Sequence, residues 1–295
     1  MKKTPILIIG SIALDTIETP KGNRSNLLGG SATYAMIAAK NKASVHISAV
    51  VGKDFPKQGH SVYEQYSDDL TDFITEDGPT FRWGGRYHEN MDQRDTLFTE
   101  LGVFQNFNPR LSELNRRVPY VFLANIHPQL QLSVIQQMEN NPTVIVDTMN
   151  LWIETTKNDL LQVLKRTDIL LINDSESELL TGDTDLQSSA EKIQAIGPKI
   201  VIIKRGSKGA AIFDGKDTFS VGVYPVSEIV DTTGAGDTFG GGFVASLAKG
   251  ESLSDAVIYG SALASICVEG FGVERILKAC DKDVEIRTEY LHQTG

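Results

Sequence analysis

The sequence has few cysteines, no long apolar run and no excess of basic residues. Two cysteines, Cys267 and Cys280, occur in 295 residues, which excludes a disulfide framework and indicates a reducing compartment. No apolar stretch approaches the roughly 18 residues of a membrane span, so we expect no membrane partner. The net charge of −10 argues against nucleic acid as a partner, because a phosphate backbone demands a basic face.

An apolar run near the beginning of the sequence, residues 5–14, follows two lysines and could imitate a signal peptide. The run is short, Asp15 ends it, and no small-residue cleavage site follows it. We therefore expect a buried first strand and a cytoplasmic protein.

Short apolar runs alternate with segments of helical period, and several runs are apolar throughout, as in strands buried on both faces. The predicted strands are 6–10, 45–52, 120–125, 143–148, 168–173 and 199–206. The predicted helices are 31–42, 128–140, 159–166, 185–197 and 252–270, the last with Ser254 as its cap and Gly270 at its end. The alternation predicts one three-layer α/β/α domain over residues 1–295, with a central, mostly parallel sheet.

Two segments break this alternation, residues 11–30 and about 79–107. They are rich in Gly, Thr, Arg and aromatic residues and have no helical period. We expect them to form a small separate sheet that is inserted into the α/β domain. Trp83 and Tyr87, in the second segment, would either stack on a substrate ring or pack on the sheet.

The stretch "DTTGAGDTFGGG", residues 231–242, is rich in glycine where a helix begins. Gly234, Ala235 and Gly236 form the loop that opens this helix, and small residues there let an anion reach unpaired backbone N–H groups. Asp237 follows in the first turn, where it would act as a base on a hydroxyl that attacks a phosphate. A plain glycine-rich turn, with Asp237 as a helix-start residue, is the alternative.

Gly240, Gly241 and Gly242 lie inside the same helix, where each glycine costs about 1 kcal/mol relative to alanine. The repeated cost indicates a backbone that something approaches closely. Two other phosphate-binding patterns do not fit: no G-x-G-x-x-G follows the first strand, and no G-x-x-x-x-G-K-[ST] occurs.

Five stretches resemble, in order and over nearly the whole chain, the signatures of the PfkB (ribokinase-like) family of sugar and nucleoside kinases. They are "LGGSATYAMIAA" (28–39), "VGKDFP" (51–56), "NDSE" (173–176), "KRGSKGA" (204–210) and "DTTGAGDTF" (231–239). The resemblance implies a ribokinase-like fold whose two non-helical segments form a lid over the acceptor, and a homodimer through that lid. It also implies ATP and Mg²⁺ as cofactors, with K⁺ as a further candidate.

The resemblance assigns roles in phosphoryl transfer and nucleotide binding. Asp237 would be the catalytic base, and the backbone N–H groups of the loop 234–236 would hold the charge on the transferred group. Asn173 and Glu176 would position Mg²⁺ through water. The residues implied to lie along the nucleotide are Lys204, Gly206 and Gly209.

The resemblance also assigns an acceptor site and a cation site. The residues implied to bind the acceptor are Asp15, at the end of the first strand, Gly29, Gly30 and Tyr34. Asp231 and the carbonyl of Thr233 would form a site for a monovalent cation.

Single residues also allow structural interpretations: Asp15 as a turn residue, Glu176 as a solvated first-turn acid, and Lys204 as a charge at a strand end. Two positions depart from the pattern of ribokinases. Tyr34 stands where ribokinases carry an asparagine that binds sugar hydroxyls, and Ile126 stands where they carry an acidic residue. Both departures argue against ribose and are compatible with another sugar, a polyol or a nucleoside.

The sequence therefore predicts an ATP-dependent kinase that transfers the γ-phosphoryl group to a primary hydroxyl of a small sugar. A nucleoside kinase of the same family is the alternative, and a nucleotide-sensing protein without turnover is the alternative of another class. The intact set of Asp237, Asn173 and Glu176 favours the enzyme over the sensor.

Overall fold

The computed structural model describes residues 2–91, 93–215 and 217–294 and shows two β-sheets with helices around the larger one. The strands are β1 Pro5–Ile9, β2 Ala13–Thr19, β3 Gly22–Gly29, β4 Ser44–Gly52, β5 Asp69–Glu76, β6 Phe81–Tyr87, β7 Arg94–Glu100, β8 Tyr120–Leu123, β9 Thr143–Asp147, β10 Ile169–Asn173, β11 Ile200–Lys204, β12 Ala210–Asp214 and β13 Asp217–Val221. The helices are α1 Ser31–Ala39, α2 Lys57–Tyr66, α3 Pro128–Gln137, α4 Asn150–Thr155, α5 Lys157–Leu164, α6 Asp174–Thr181, α7 Leu186–Gln194, α8 Ala235–Lys249, α9 Leu253–Cys267 and α10 Asp281–Thr294.

The large sheet has nine strands in the order β13-β12-β11-β10-β9-β8-β1-β4-β5. All six strands predicted from the sequence belong to it and pair in parallel. The antiparallel strands β12 and β13 extend one edge, and β5 forms the other. β5 and β13 were not predicted from the sequence, because neither edge strand has the uninterrupted apolar run of a strand buried on both faces.

Two cores lie on the two faces of the large sheet, which confirms the predicted three layers. In β1, Ile6 and Ile8 face one core, to which α1, α8 and α9 contribute, while Leu7 and Ile9 face the other, to which α3, α5 and α7 contribute. Ile126 is 1% exposed and packs in this second core. It therefore does not offer its side chain to an acceptor, contrary to the sequence-based expectation.

The second sheet has four strands in the order β3-β2-β6-β7, and all four lie inside the two predicted segments. Strands β2 and β6 pair in parallel, and Asp15 lies directly beside Trp83. Neighbouring positions of paired strands point to the same face of a sheet, so these two side chains share a face. Asp15 lies within β2 of this small sheet, and the expectation that it ends the first strand is wrong.

Helix α9 begins two residues earlier than its predicted cap suggested. The cap is Ser252, whose hydroxyl accepts a hydrogen bond from the Asp255 backbone N–H at 3.1 Å. A capping side chain bonds the backbone N–H about three residues later, whereas Ser254 lies inside the first turn. The helix ends at Cys267 and so stops short of Gly270.

The three consecutive glycines of α8 let other elements of the fold approach the helix closely. A Cβ at Gly240 would meet the Phe122 ring of β8. A Cβ at Gly241 would overlap the Ala35 carbonyl of α1, and a Cβ at Gly242 would lie 2.7 Å from Leu263 of α9. The close approach that the sequence indicated is therefore made by neighbouring helices and a strand. These glycines are required by packing.

The variant Gly241→Ala is expected to destabilise the fold by roughly 2–3 kcal/mol, because the added methyl group meets backbone that cannot move aside. Thermal unfolding of the wild type and the variant measures the loss. Gly222→Ala is the matched control, since a Cβ there meets nothing within 4 Å. Equal melting temperatures for Gly241→Ala and the wild type would show that α1 and α8 can separate without cost.

Candidate active site

The glycine-rich loop before α8 lies between α1 and the small sheet. Gly234 has φ +74°, a left-handed conformation that favours glycine, and a Cβ there would overlap the ring of Tyr34. Helix α8 then begins at Ala235, and the Thr238 N–H bonds the Gly234 carbonyl at 2.8 Å. The first N–H groups of a helix have no intrahelical acceptor, so this loop can hold an anion. We call residues 234–236 the anion loop.

Asp237 lies in the first turn of α8, directly after the anion loop. Its pKa is raised to about 7, chiefly by burial and also by nearby Asp147, while Lys204 and Arg94 oppose the rise. A carboxyl whose pKa lies near neutral pH can accept a proton during a reaction and release it afterwards. Asp237 is therefore suited to act as a general base.

Lys204 and Asp147 form an ion pair beside the anion loop. The Lys204 Nζ atom, at the end of β11, lies 2.9 Å from both carboxylate oxygens of Asp147, at the end of β9. A Cβ at Gly236 would lie 3.3 Å from the same Nζ atom. Lys204 is thus not a solvated strand-end charge. The sequence analysis gave Asp147 no role, although an acid that ends a buried strand is a signal for this edge of the sheet.

Asn173 and Glu176 form a reciprocal capping box at the start of α6. The Glu176 backbone N–H donates to Asn173 Oδ1 at 2.8 Å, and the Asn173 N–H donates to Glu176 Oε2 at 2.9 Å. Glu176 is 8% exposed, and its burial raises its pKa to about 7, against the opposing charge of Lys204. It is therefore not a solvated first-turn acid.

These residues fit a magnesium ion that is held mainly by other ligands. Within the described residues 2–91, 93–215 and 217–294, no group of three or more His, Cys, Asp or Glu could hold a metal ion. Mg²⁺ prefers one or two carboxylates together with waters and phosphates. Such an ion would keep the buried Glu176 carboxyl ionised, because its positive charge would offset the desolvation that raises the pKa.

Asp15 is 3% exposed and lies against the "LGG" turn before α1. A Cβ at Gly29 would overlap the Asp15 carboxylate, and a Cβ at Gly30, where φ is +90°, would overlap the Ser11 carbonyl. The pKa of Asp15 is raised to about 8, chiefly by burial and also by the carboxylates of Asp231 and Asp237. Gly29 therefore makes room for an acid that is buried close to the anion loop, and Gly30 allows close approach of the backbone at Ser11.

Tyr34 is 1% exposed and packs its ring against Gly234. Its hydroxyl has no hydrogen-bond partner among the residues that the structure describes. Such a buried hydroxyl can serve a ligand that supplies the missing partner. Burial raises the pKa of Tyr34 well above its usual value.

Asp231 and Thr233 lie buried at the start of the "DTTGAGD" stretch. The Asp231 carboxylate accepts hydrogen bonds from the N–H groups of Thr233 and Gly272, each at 2.8 Å. The Thr233 carbonyl lies 3.7 Å from the Cys267 thiol, which donates to it. Burial raises the pKa of Asp231. The two predicted cation ligands are therefore adjacent, and the carboxylate already accepts two backbone hydrogen bonds.

A cavity of about 530 Å³ opens beside the anion loop and Lys204. Its wall includes Gly206 and Gly209, which have φ +53° and +83°. Most of its lining is apolar, and Tyr224, Pro225, Phe239 and Val268 contribute to it. A largely apolar cavity of this size, with Lys204 and the anion loop in its wall, suits a flat heterocycle that carries an anionic group.

Arg94, a residue that the sequence analysis did not single out, reaches this site from β7. Its guanidinium lies 5.0 Å from the ring centre of Trp83 and donates to the Tyr87 hydroxyl at 3.5 Å. Burial raises the pKa values of Asp15 and Asp237, and the charge of Arg94 opposes that rise at both. Arg94 therefore supplies positive charge over a group of carboxylates.

The two aromatic residues of β6 differ in their surroundings. Tyr87 is 7% exposed and packs with Ile17 and Phe271. Trp83 is half-buried, beside Asp15 and against the Arg94 guanidinium. Packing thus accounts for Tyr87, while Trp83 keeps an accessible surface on the face of the sheet that carries Asp15.

A family model described as pfkB family carbohydrate kinase matches residues 122–280. A cytidine kinase of Thermococcus kodakarensis is 30% identical over 262 residues, which are 86% of this chain and 92% of that protein. The structure of a Methanocaldococcus jannaschii nucleoside kinase, 23% identical, superposes with a TM-score of 0.80 over 98% of this chain and all of that chain. Arabidopsis thaliana ribokinase, in complex with ribose and ATP, is 24% identical and superposes with a TM-score of 0.79 over 98% of this chain and 99% of that one.

No helix in the described part of the chain is long and apolar enough to cross a membrane.

Proposed function

Because this chain belongs to the pfkB family of carbohydrate kinases, we propose that it transfers the γ-phosphoryl group of ATP to a primary hydroxyl of a small polyhydroxy compound. The observation that carries this proposal is Asp237, a carboxyl with a pKa of about 7 in the turn that follows the anion loop. Asp237 takes the proton of the acceptor hydroxyl. The N–H groups of the anion loop hold the charge that develops on the transferred group.

The cavity beside Lys204 supports the ATP site of this proposal. Its apolar wall around Tyr224 and Val268 would receive the base, and Gly206 and Gly209 would let the phosphates pass close to the backbone. Asn173 and Glu176 would hold Mg²⁺ through water. When bound, this ion neutralises charge on the phosphates.

Asp231 and the Thr233 carbonyl support a monovalent cation site as a finer part of the proposal. The Asp231 carboxylate is 1% exposed and accepts hydrogen bonds from the backbone N–H groups of Thr233 and Gly272. Since burial raises the pKa of an unneutralised carboxyl, a K⁺ ion there would keep Asp231 ionised. The same ion would fix the backbone that leads into the anion loop without touching the acceptor.

A nucleoside is the acceptor that the geometry favours. Trp83 lies beside Asp15, so one ligand can present a hydroxyl to the carboxyl and a flat base to the indole. The similarity to a cytidine kinase supports the same class. The small sugar predicted from the sequence is the second candidate, because the buried Asp15 alone can bind its hydroxyls.

The proposal is tested by measuring the release of ADP, with ATP and Mg²⁺ present, for nucleosides, ribose, fructose and inositol. Stacking of a base on an aromatic side chain is worth about 1–3 kcal/mol, so we expect kcat/KM for ribose to be roughly 10- to 100-fold below that of the best nucleoside. EDTA should abolish the reaction, and the rate should be higher in K⁺ than in choline salts. The variant Trp83→Leu should remove the advantage of the nucleoside and leave the rate with ribose nearly unchanged.

Three outcomes would contradict separate parts of the proposal. No ADP release with any acceptor would refute the kinase. Ribose as the best acceptor would refute the role of Trp83 and leave the kinase in place. Equal rates in K⁺, Na⁺ and choline salts would refute only the monovalent cation site.

A further inference from the structure

Both threonines before the anion loop are bonded to the hairpin formed by β6 and β7. The Thr233 hydroxyl donates to the Tyr87 hydroxyl at 2.9 Å, and the Thr232 hydroxyl donates to the Met91 carbonyl at 3.0 Å. These bonds join segments more than 140 residues apart in the chain. The small sheet is therefore fastened to the backbone that leads directly into Gly234.

The bond to Tyr87 is one of three contacts that fix Thr233. Its backbone N–H donates to Asp231 at 2.8 Å, and its carbonyl lies 3.7 Å from the Cys267 thiol. These two partners belong to the α/β domain, whereas Tyr87 belongs to the small sheet. The conformation of the residue before Gly234 therefore depends on where the small sheet lies.

Tyr87 is itself held firmly enough to transmit that position. It is 7% exposed and packs against Ile17 and Phe271. Its hydroxyl accepts a hydrogen bond from the Arg94 guanidinium at 3.5 Å. The ring of Tyr34 contacts the next residue, Gly234. Tyrosines of α1 and of the small sheet therefore contact two consecutive residues at the start of the anion loop.

We propose that Tyr87 is a positioning residue, which sets the anion loop in its transfer-competent conformation through Thr233 only when the small sheet lies over the acceptor. This inference rests on the proposed function, since it assigns the loop to phosphoryl transfer. It makes transfer to the acceptor depend on closure, because an open sheet withdraws the hydrogen bond from Thr233. Tyr87 itself touches no reacting atom in this assignment.

The test is a double-mutant cycle with Tyr87→Phe, Thr233→Val and the combined variant. A net hydrogen bond is worth about 1 kcal/mol, so each single change is expected to lower kcat roughly three- to ten-fold, with KM for ATP within about two-fold of the wild type. The combined variant should lose no more than either single variant, because all three lack the same bond. Tyr66→Phe, which removes a hydroxyl bonded to the Leu277 carbonyl far from the loop, is the control and should keep the wild-type kcat.

Hydrogen exchange of the segment 231–238 gives a readout that needs no turnover. The bonded amides of Thr233 and Thr238 report the loop, and they should exchange several-fold faster in Tyr87→Phe than in Tyr66→Phe. Additive losses of kcat in the cycle, or unchanged exchange in Tyr87→Phe, would overturn the inference. A wild-type protein that phosphorylates no acceptor would refute the proposed function, and the exchange comparison would then still decide the role of Tyr87.

Discussion

The variant Asp237→Asn is expected to lower kcat by about 10²- to 10⁴-fold, the usual loss on removal of a general base. Asparagine keeps the shape of the side chain but cannot accept the hydroxyl proton. Binding of ATP should persist, because the cavity and Lys204 are unchanged. Initial rates of ADP release together with nucleotide binding by calorimetry separate the two effects.

The pKa of Asp237 determines the direction in which the rate should change with pH. Burial raises the pKa of Asp237 to about 7, so the carboxyl is increasingly protonated and inactive as a base as the pH falls below that value. The rate with the wild type should therefore rise with pH through about 7, and the residual rate of the variant should lack this rise.

The matched control is Asp159→Asn, which changes another first-turn aspartate, on α5, and should leave kcat unaltered. A kcat for Asp237→Asn above about a tenth of the wild-type value would refute the assignment of the base.

The variant Lys204→Met is expected to lower kcat/KM by about 10²-fold or more, the size of effect seen when one charge-stabilising donor is removed from a transfer site. Its ammonium lies beside Gly236, where under the proposed function charge would develop on the transferred group. The variant should also move the rise in rate to higher pH, because Lys204 lowers the pKa of Asp237 against the effect of burial. Rates from pH 5.5 to 9.5 measure both effects.

Two further variants separate this effect from misfolding. Lys204→Met leaves the buried Asp147 carboxylate without its partner, so the variant is also expected to melt at a lower temperature. Adding Asp147→Asn removes that charge and should restore the melting temperature without restoring the activity. Lys199→Met, which breaks the exposed pair with Asp168, should change neither property. An unshifted pH profile in Lys204→Met would contradict the electrostatic role of the lysine.

The sequence predicted those features whose cause is local in the chain. Six buried strands followed from uninterrupted apolar runs, and the loop 234–236 followed from glycines at a helix start. The pair of Lys204 and Asp147 joins residues 57 positions apart, so the position of Asp147 at a strand end indicates a site at this edge of the sheet but does not identify Lys204 as its partner. Arg94 was missed because its position over the carboxylates of Asp15 and Asp237 depends on how the small sheet packs against the rest of the fold.

Other errors came from features that depend on register or on tertiary contacts. The side chain of Ile126 turns into a core, although an alignment by motif placed it at the acceptor. Asp15 was assigned to the first strand because the apolar run continues past Ile9, whereas the chain leaves the large sheet there and enters the small one. In both cases the local composition allowed more than one path for the backbone.

The small sheet is built entirely from the first hundred residues, while the anion loop, Asp237 and the cavity wall come almost entirely from residues after 200. Under the proposed function, recognition of the acceptor would thus depend mainly on the first hundred residues and handling of the phosphoryl donor mainly on the later part of the chain. Under the proposed function, mutations of Asp15 or Trp83 would change which alcohol is accepted, whereas mutations of Tyr87 would also affect transfer. If one of these stretches were exchanged with that of a relative, the bonds from Thr232 and Thr233 to the small sheet would have to form across the new junction.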